Sequence, residues 1–208
     1  NEKVDLLLVW RDMKGATDVE YGKHWLFGEP AEELSETELR QLREAIAATG
    51  LTMSEPVREQ QEPESFPDGG PNNEPYTRPG FAIARVYVAA DAPTLERLRD
   101  AHLGSENRVF GELSGFPGSA IDAYTAANTQ MPAEERMREL LMSEEEIPDE
   151  VRAQDFMAFM EFRLSRAHWR EELEAPRRWA EEIQHIAPDL YQRIVADYHQ
   201  RRLRSRPS

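Results

Sequence analysis

Between Ser54 and Pro79 the chain carries six of its 14 prolines, at Pro56, Pro63, Pro67, Pro71, Pro75 and Pro79, with Gly69 and Gly70 among them. Proline fixes φ and has no backbone N–H, so neither a helix nor a central strand can run through such a stretch. Regular structure has to be divided between the residues before this segment and the residues after it. The segment itself reads as a long, polar, mobile loop or inserted linker, a solvated connection without the makings of a ligand shell.

Ahead of it, VDLLLVW (Val4–Trp10) is short and apolar and reads as a buried strand. Ser35 opens a capping box with Glu38, and Leu39, Leu42, Ala45 and Ile46 then fall on one helical face that Gly50 ends. Leu51–Val57 reads as a second short strand. Beyond the prolines, FAIARVYVAA (Phe81–Ala90) alternates in the manner of a strand more clearly than any other stretch. Asp91 caps a helix with Pro93 in its first turn and Leu95, Leu98 and His102 on one side, and Gly104 stops it.

The remainder is helical in pattern. Pro117, Pro132 and Pro148 stand at helix starts. Met157, Met160, Leu164 and His168 form one stripe of a helix over 155–170, and Leu190, Ile194, Val195 and Tyr198 one face of a helix over 188–203. Trp169 and Trp179, with the phenylalanines of 156–162 and Tyr191, read as core. The fold class expected is α+β, a small N-terminal sheet with a mainly helical C-terminal half. Residues 1–104, including the proline-rich loop at 54–79, form the α/β part, and residues 105–208 the helical part, of one compact domain.

Composition narrows the function. Forty acids against 25 bases leave a net charge of −15, and the bases are arginine except for Lys3, Lys14 and Lys23. Such a field repels phosphate backbones, which excludes generic nucleic-acid binding. At molar salt the Debye length falls to about 3 Å and the self-repulsion of the surface is screened. A halophilic origin accounts for the acidity on that ground, and a GC-rich genome that writes arginine for lysine is the alternative. The absence of cysteine excludes disulfides and thiolate chemistry. No apolar run approaches the roughly 18 residues of a spanning helix, so no membrane role is expected. With no secretory signal at Asn1, a soluble, cytoplasmic chain is expected.

Candidate sites concentrate in RVFGELSGFPGSAIDAY (Arg108–Tyr124). A Gly-Pro turn leading into a helix leaves unpaired N–H groups at the positive end of a dipole, which favours an anion. Arg108 and Ser119 would hold that anion if the turn folds back, in a pocket with Glu112, Gly115, Pro117 and Asp122, where Glu112 or Asp122 would accept a proton. The alternative is a tight helix corner in which the glycines permit close packing. Residues 117–121 read Pro-Gly-Ser-Ala-Ile, so there is no nucleophile elbow.

Among the histidines, His168 and Glu172 are four apart, a spacing that can turn both toward a metal, with Glu171 as the three-apart variant. The second ligand pair of a zinc site is missing and no His-Glu-x-x-His occurs, so no metal and no cofactor is assigned. His24, beside Trp25 and after Asp18, Glu20 and Tyr21, is a candidate for acid–base chemistry near neutrality. Eight acids within 134–150 read as a solvated face. Arg201, Arg202, Arg204 and Arg206 form a basic cluster that docks an acidic partner or frays. The expected partners are an unknown protein or a small anion, with a homo-oligomer through the C-terminal helices as a further possibility. Whether the chain is an enzyme stays open.

RVYVAADAPTLERLRDAH followed by FGELSGFPGSAIDAY, and later FMAFMEFRLSRAHWREELEAPRRWAEEI with Ala187-Pro-Asp-Leu-Tyr191, resembles a family of uncharacterised archaeal proteins. Their signature is a Gly-Tyr-Pro-x-Cys-Cys turn between a strand–helix unit and an apolar helix. Gly115, Phe116 and Pro117 match its first three positions, with phenylalanine for tyrosine, and Ser119 and Ala120 stand where the cysteines would be. The resemblance covers residues 81–203 and implies a fold but no reaction. Any thiol chemistry of such relatives is closed to this chain.

Overall fold

The computed structural model describes residues 2–25, 36–61, 64–66, 76–78, 80–128 and 133–204. The protein is α+β, with a small antiparallel sheet in the N-terminal half and helices through the C-terminal half. It divides into two compact units, one of residues 16–95 and one joining residues 3–15 to residues 96–208. Residues 3–15, which sequence pattern groups with the sheet, thus belong with the helices.

In the first unit the strand expected over Phe81–Ala90 forms as β6 (Gly80–Ala89), and the sheet places it centrally. β1 (Ala16–Trp25) runs antiparallel along one edge, from Ala16 opposite Ala89 to Trp25 opposite Gly80. The other edge is shared by β2 (Thr52–Met53) and β3 (Val57–Gln61). Between these two the register slips by one residue: Met53 faces Val88 but Val57 faces Arg85. That is a bulge, and it falls where Pro56 has no N–H to give. Ser54 bridges it, its N–H donating to the Tyr87 carbonyl at 2.9 Å and its Oγ accepting the Tyr87 N–H at 3.0 Å. From Val86 to Ala89 the strand is buried on both faces. Helix α2 (Glu36–Ala48) lies against β2, buries Leu39 and Ile46, and is followed by Gly50 at φ +78° in the left-handed conformation that glycine adopts freely. Ser35, its expected cap, lies outside the described residues.

The proline-rich segment, expected as a long polar loop or inserted linker, contains strands. β3 lies within it, and so do β4 (Glu64–Phe66) and β5 (Tyr76–Arg78), which pair with each other antiparallel. Residues 62–63, 67–75 and 79 lie outside the described residues.

The strand expected over Val4–Trp10 is instead a helix, α1 (Glu2–Trp10). The run Leu6–Trp10 is apolar throughout and has no period to distinguish the two states. Burial decides: Val4 and Leu8, four apart, are almost fully covered. They enter a core with Phe159, Trp179 and Ile183. After α1 the chain reverses at Asp12, whose φ of +58° is a conformation aspartate tolerates, and the Met13 N–H closes on the Leu8 carbonyl.

The later helices are α3 (Ala92–Leu103), α4 (Asn107–Leu113), α5 (Gly118–Asn128), α6 (Ala133–Leu140) and α7 (Asp149–Arg152). They are followed by α8 (Trp169–Glu172), α9 (Glu174–Ile186) and α10 (Pro188–Arg204). Asp91 caps α3 as expected, its carboxylate accepting the Thr94 N–H at 2.8 Å.

The expected helix over 155–170 does not form. Its start is a 3-10 turn, Asp155–Phe159, in which Phe156, Met157, Ala158 and Phe159 are all buried. A segment covered on every side has no stripe. Leu141 and Ser165 then form an antiparallel bridge, with Met142 N–H on the Leu164 carbonyl and Arg166 N–H on the Leu140 carbonyl, both at 2.9 Å. These long-range bonds tie residues 164–166 to residues 140–142 and take the place of helical ones.

Candidate functional site

The Gly115–Pro117 turn is built by its glycine. α4 ends at Leu113, and Gly115 follows at φ +73° with its N–H on the Glu112 carbonyl. A Cβ at Gly115 would stand 3.0 Å from the Met13 carbonyl oxygen and 3.3 Å from Lys14 Cγ. The turn is therefore pressed onto residues 13–15, and the Gly15 N–H donates to the Leu113 carbonyl at 2.9 Å. Gly111 serves close packing in the same corner, since a Cβ there would lie 2.8 Å from Ile121 Cγ1 on α5.

The residues expected to share one anion are sent to different carboxylates. Arg108 pairs with Asp122, both largely exposed, while Glu112 points to solvent. Ser119, in the first turn of α5, donates its hydroxyl to Glu172 Oε1 at 2.7 Å. Glu172 is almost completely buried, and Ser165 gives it two further hydrogen bonds, from its N–H at 2.7 Å and from its hydroxyl at 2.5 Å. The anion at this helix N-terminus is supplied by the chain itself, where Ser119 and the helix dipole both favour a carboxylate.

The candidate pair His168 and Glu172 is divided between surface and interior. His168 is the exposed residue preceding α8 and Glu172 is its buried last residue, because the helix that would have aligned them is a single turn. Among the described residues no group of three or more histidines and acids is placed to hold a metal. His24 lies in β1 opposite Phe81; its side chain is outside the described residues.

A second buried cluster lies under the same turn. The side chain of Lys14 is 3% exposed, and its ammonium bonds both Asp5 of α1 and Glu161. Its Nζ lies 4.5 Å from the ring centroid of Trp179 on α9. Burial, with Asp5 adding to it and Lys14 opposing, pushes the Glu161 carboxyl up to about 7. A compact ammonium with three donors can serve two carboxylates and a ring face, which the flat fork of an arginine does less readily. The sequence signal for this cluster is a lysine in a chain that otherwise writes arginine.

Glu161 belongs to the extended strap whose neighbours Met160, Phe162, Arg163 and Leu164 line a cavity of about 1340 Å³. Met137 of α6, Met142, Met157 and Met160 give this cleft an apolar wall, so four of the chain's seven methionines face it. Six arginines line it, two of them from the C-terminal cluster of α10, against four acids, Glu144, Glu145, Glu146 and Asp149. In a chain of net charge −15 the local balance is reversed.

Most of these arginines are occupied. Arg166 holds Glu146 through two bonds, at 2.7 and 2.8 Å, and donates its Nε to the Arg138 carbonyl at 2.7 Å. Hydrogen bonds from the Ser143 N–H and then from Arg166 hold the Glu146 carboxyl below its usual range. Arg152 pairs with Asp149 at 2.7 Å, and Tyr198 donates its hydroxyl to the Arg152 carbonyl at 2.8 Å. Along the sequence these residues divide among a solvated acidic face, a methionine stripe and a terminal basic cluster, and folding brings all three to one wall.

No protein-family model, curated protein or solved structure matches this chain.

Proposed function

We propose that this chain is a small-ligand-binding protein and that its ligand sits in the cleft between α6, the 141–147 and 157–164 segments and α10. The observation that carries the reading is the lining of a large cavity by four flexible, polarizable methionines together with six arginines. Ligand sites combine an apolar wall with a few polar groups that orient the bound molecule, and methionine adapts its shape to what binds. Among the described residues no helix is long and apolar enough to cross a membrane. The acid-rich composition suits a salt-rich cytoplasm, where screening removes its self-repulsion. Stability that rises from dilute to molar potassium chloride is the expected result for that part.

The test is titration of a fragment library, in molar potassium chloride, into protein labelled with carbon-13 at the methionine methyls. Binders are expected to move the signals of Met137, Met142, Met157 and Met160 and to leave Met13 and Met53 unmoved. A library without binders, or binders that leave the four cleft methyls in place, would overturn the reading.

A further inference from the structure

We infer that the ligand of this cleft is an amphipathic monocarboxylate, its head on Arg163 and its apolar body along the methionine wall; the inference rests on the binding role proposed above. Most of the cleft cations already hold a carboxylate of the chain. Arg166 is committed to Glu146, Arg152 to Asp149 and Arg201 to Asp197, and Arg202 stands 4.0 Å from Asp149. Arg163 makes no ion pair among the described residues. Among the described residues its Nη1 has only the thioether of Met137, at 3.8 Å. Sulfur is a weak acceptor, so this guanidinium keeps its donor fork for an incoming group.

A planar carboxylate is the group that fork matches, through two parallel N–H···O bonds. The surroundings limit the charge of the head. Glu144 and Glu145 line the same cleft, and neither holds an arginine in an ion pair among the described residues. A head with two negative charges would meet both of them, whereas a single charge is matched by the arginine excess. The chain around the arginine sets the nature of the body. Phe162 and Leu164 flank it in sequence and line the cleft with it, and Met137 lies against its Nη1. An alkyl or aryl group joined to the carboxylate would run directly from Arg163 onto this wall.

The experiment compares three probes of one chain length, octanoate, octan-1-ol and octyl phosphate, by the methionine-methyl titration and by calorimetry. It uses the parent protein, Arg163→Gln and Arg163→Lys. Octanoate is expected to bind at least tenfold more tightly than octan-1-ol and more tightly than octyl phosphate. Arg163→Gln should remove the preference over the alcohol without changing alcohol binding, and Arg163→Lys should restore only part of it, because an ammonium lacks the fork. Arg163 is exposed, so an unchanged melting temperature is expected in both variants. Equal binding of octanoate and octan-1-ol, or a preference that survives Arg163→Gln, would overturn the carboxylate assignment while leaving the cleft as a binding site. Tighter binding of octyl phosphate would overturn the single-charge limit. If none of the three moves the cleft methyls, the inference falls together with the binding role beneath it.

Discussion

Lys14 and Trp179 meet face to cation, the ammonium 4.5 Å from the ring centroid, with Asp5 and Glu161 completing the lysine's surroundings. Three segments converge on one buried cation: α1 through Asp5, the strap through Glu161, and α9 through Trp179. Removing Lys14 leaves the half-buried Asp5 and Glu161 side chains without the cation they share. Lys14→Met is expected to destabilise the protein by about 3–5 kcal/mol, the cost typical of breaking a buried pair from one side. Urea denaturation followed by tryptophan fluorescence measures it, and a loss below about 1 kcal/mol, the range of an exposed pair, would mean the carboxylates are solvated.

The same cluster sets a pH dependence. The Glu161 carboxyl titrates at about 7 in the folded protein against 4.5 in its ordinary state, so between these values the folded chain holds a proton that the unfolded chain has released. Stability from this group is complete below about pH 4.5 and is lost as pH rises through 7, amounting to about 3 kcal/mol. Melts from pH 5 to 8 on the parent and on Glu161→Gln isolate the effect. The difference between them should shrink toward low pH, and two parallel curves would show that Glu161 does not titrate in this range.

At α5, Ser119→Ala takes one donor from the buried Glu172 carboxylate. The expected loss is about 1–3 kcal/mol, the range for a buried polar group deprived of a partner. In a Glu172→Gln background the same substitution should cost less, since a neutral amide needs the donor less. A double-mutant cycle on denaturant midpoints reads the coupling, and additive losses would show that the hydroxyl serves the fold by another contact.

Gly115 and Gly50 share a left-handed conformation but differ in surroundings. A Cβ on Gly50 meets nothing within 4 Å, while one on Gly115 meets the Met13 carbonyl oxygen at 3.0 Å. Gly50→Ala should cost about 1 kcal/mol for the backbone conformation alone. Gly115→Ala should cost at least about 1 kcal/mol more, the low end for overpacking, because the turn must move away from residues 13–15. Equal losses in thermal melts would remove the close approach as a reason for glycine at 115.

The parts of this fold legible in the sequence are those whose cause is local. The strand over Phe81–Ala90, the helix α2 with its closing Gly50, the Asp91 cap of α3 and the helix α10 each arise within a few residues and form where expected, although Ala45 of the expected α2 face is exposed. α1 reads as a strand because Leu6–Trp10 is apolar throughout and carries no period of its own. The 155–170 segment reads as a helix because Met157, Met160 and Leu164 match a helical stripe, although the burial of four successive residues, Phe156–Phe159, leaves its start without an exposed face. The candidate anion site is legible as a turn and as a helix N-terminus. Its occupant is not, because Glu172 lies 53 positions from Ser119.

By itself, then, the sequence determined the α+β class, the strand over Phe81–Ala90, the Asp91 cap and the helix end at Gly50, since turn chemistry and hydrophobic period act between near neighbours. Tertiary structure alone decided which charges are buried together and which wall the methionines and arginines share. Lys14 and Glu161 are 147 positions apart, and nothing in either neighbourhood names the other. Burying a charge is so costly without a partner that the fold must bring opposite charges together across such separations, and it does so through packing that no local pattern records.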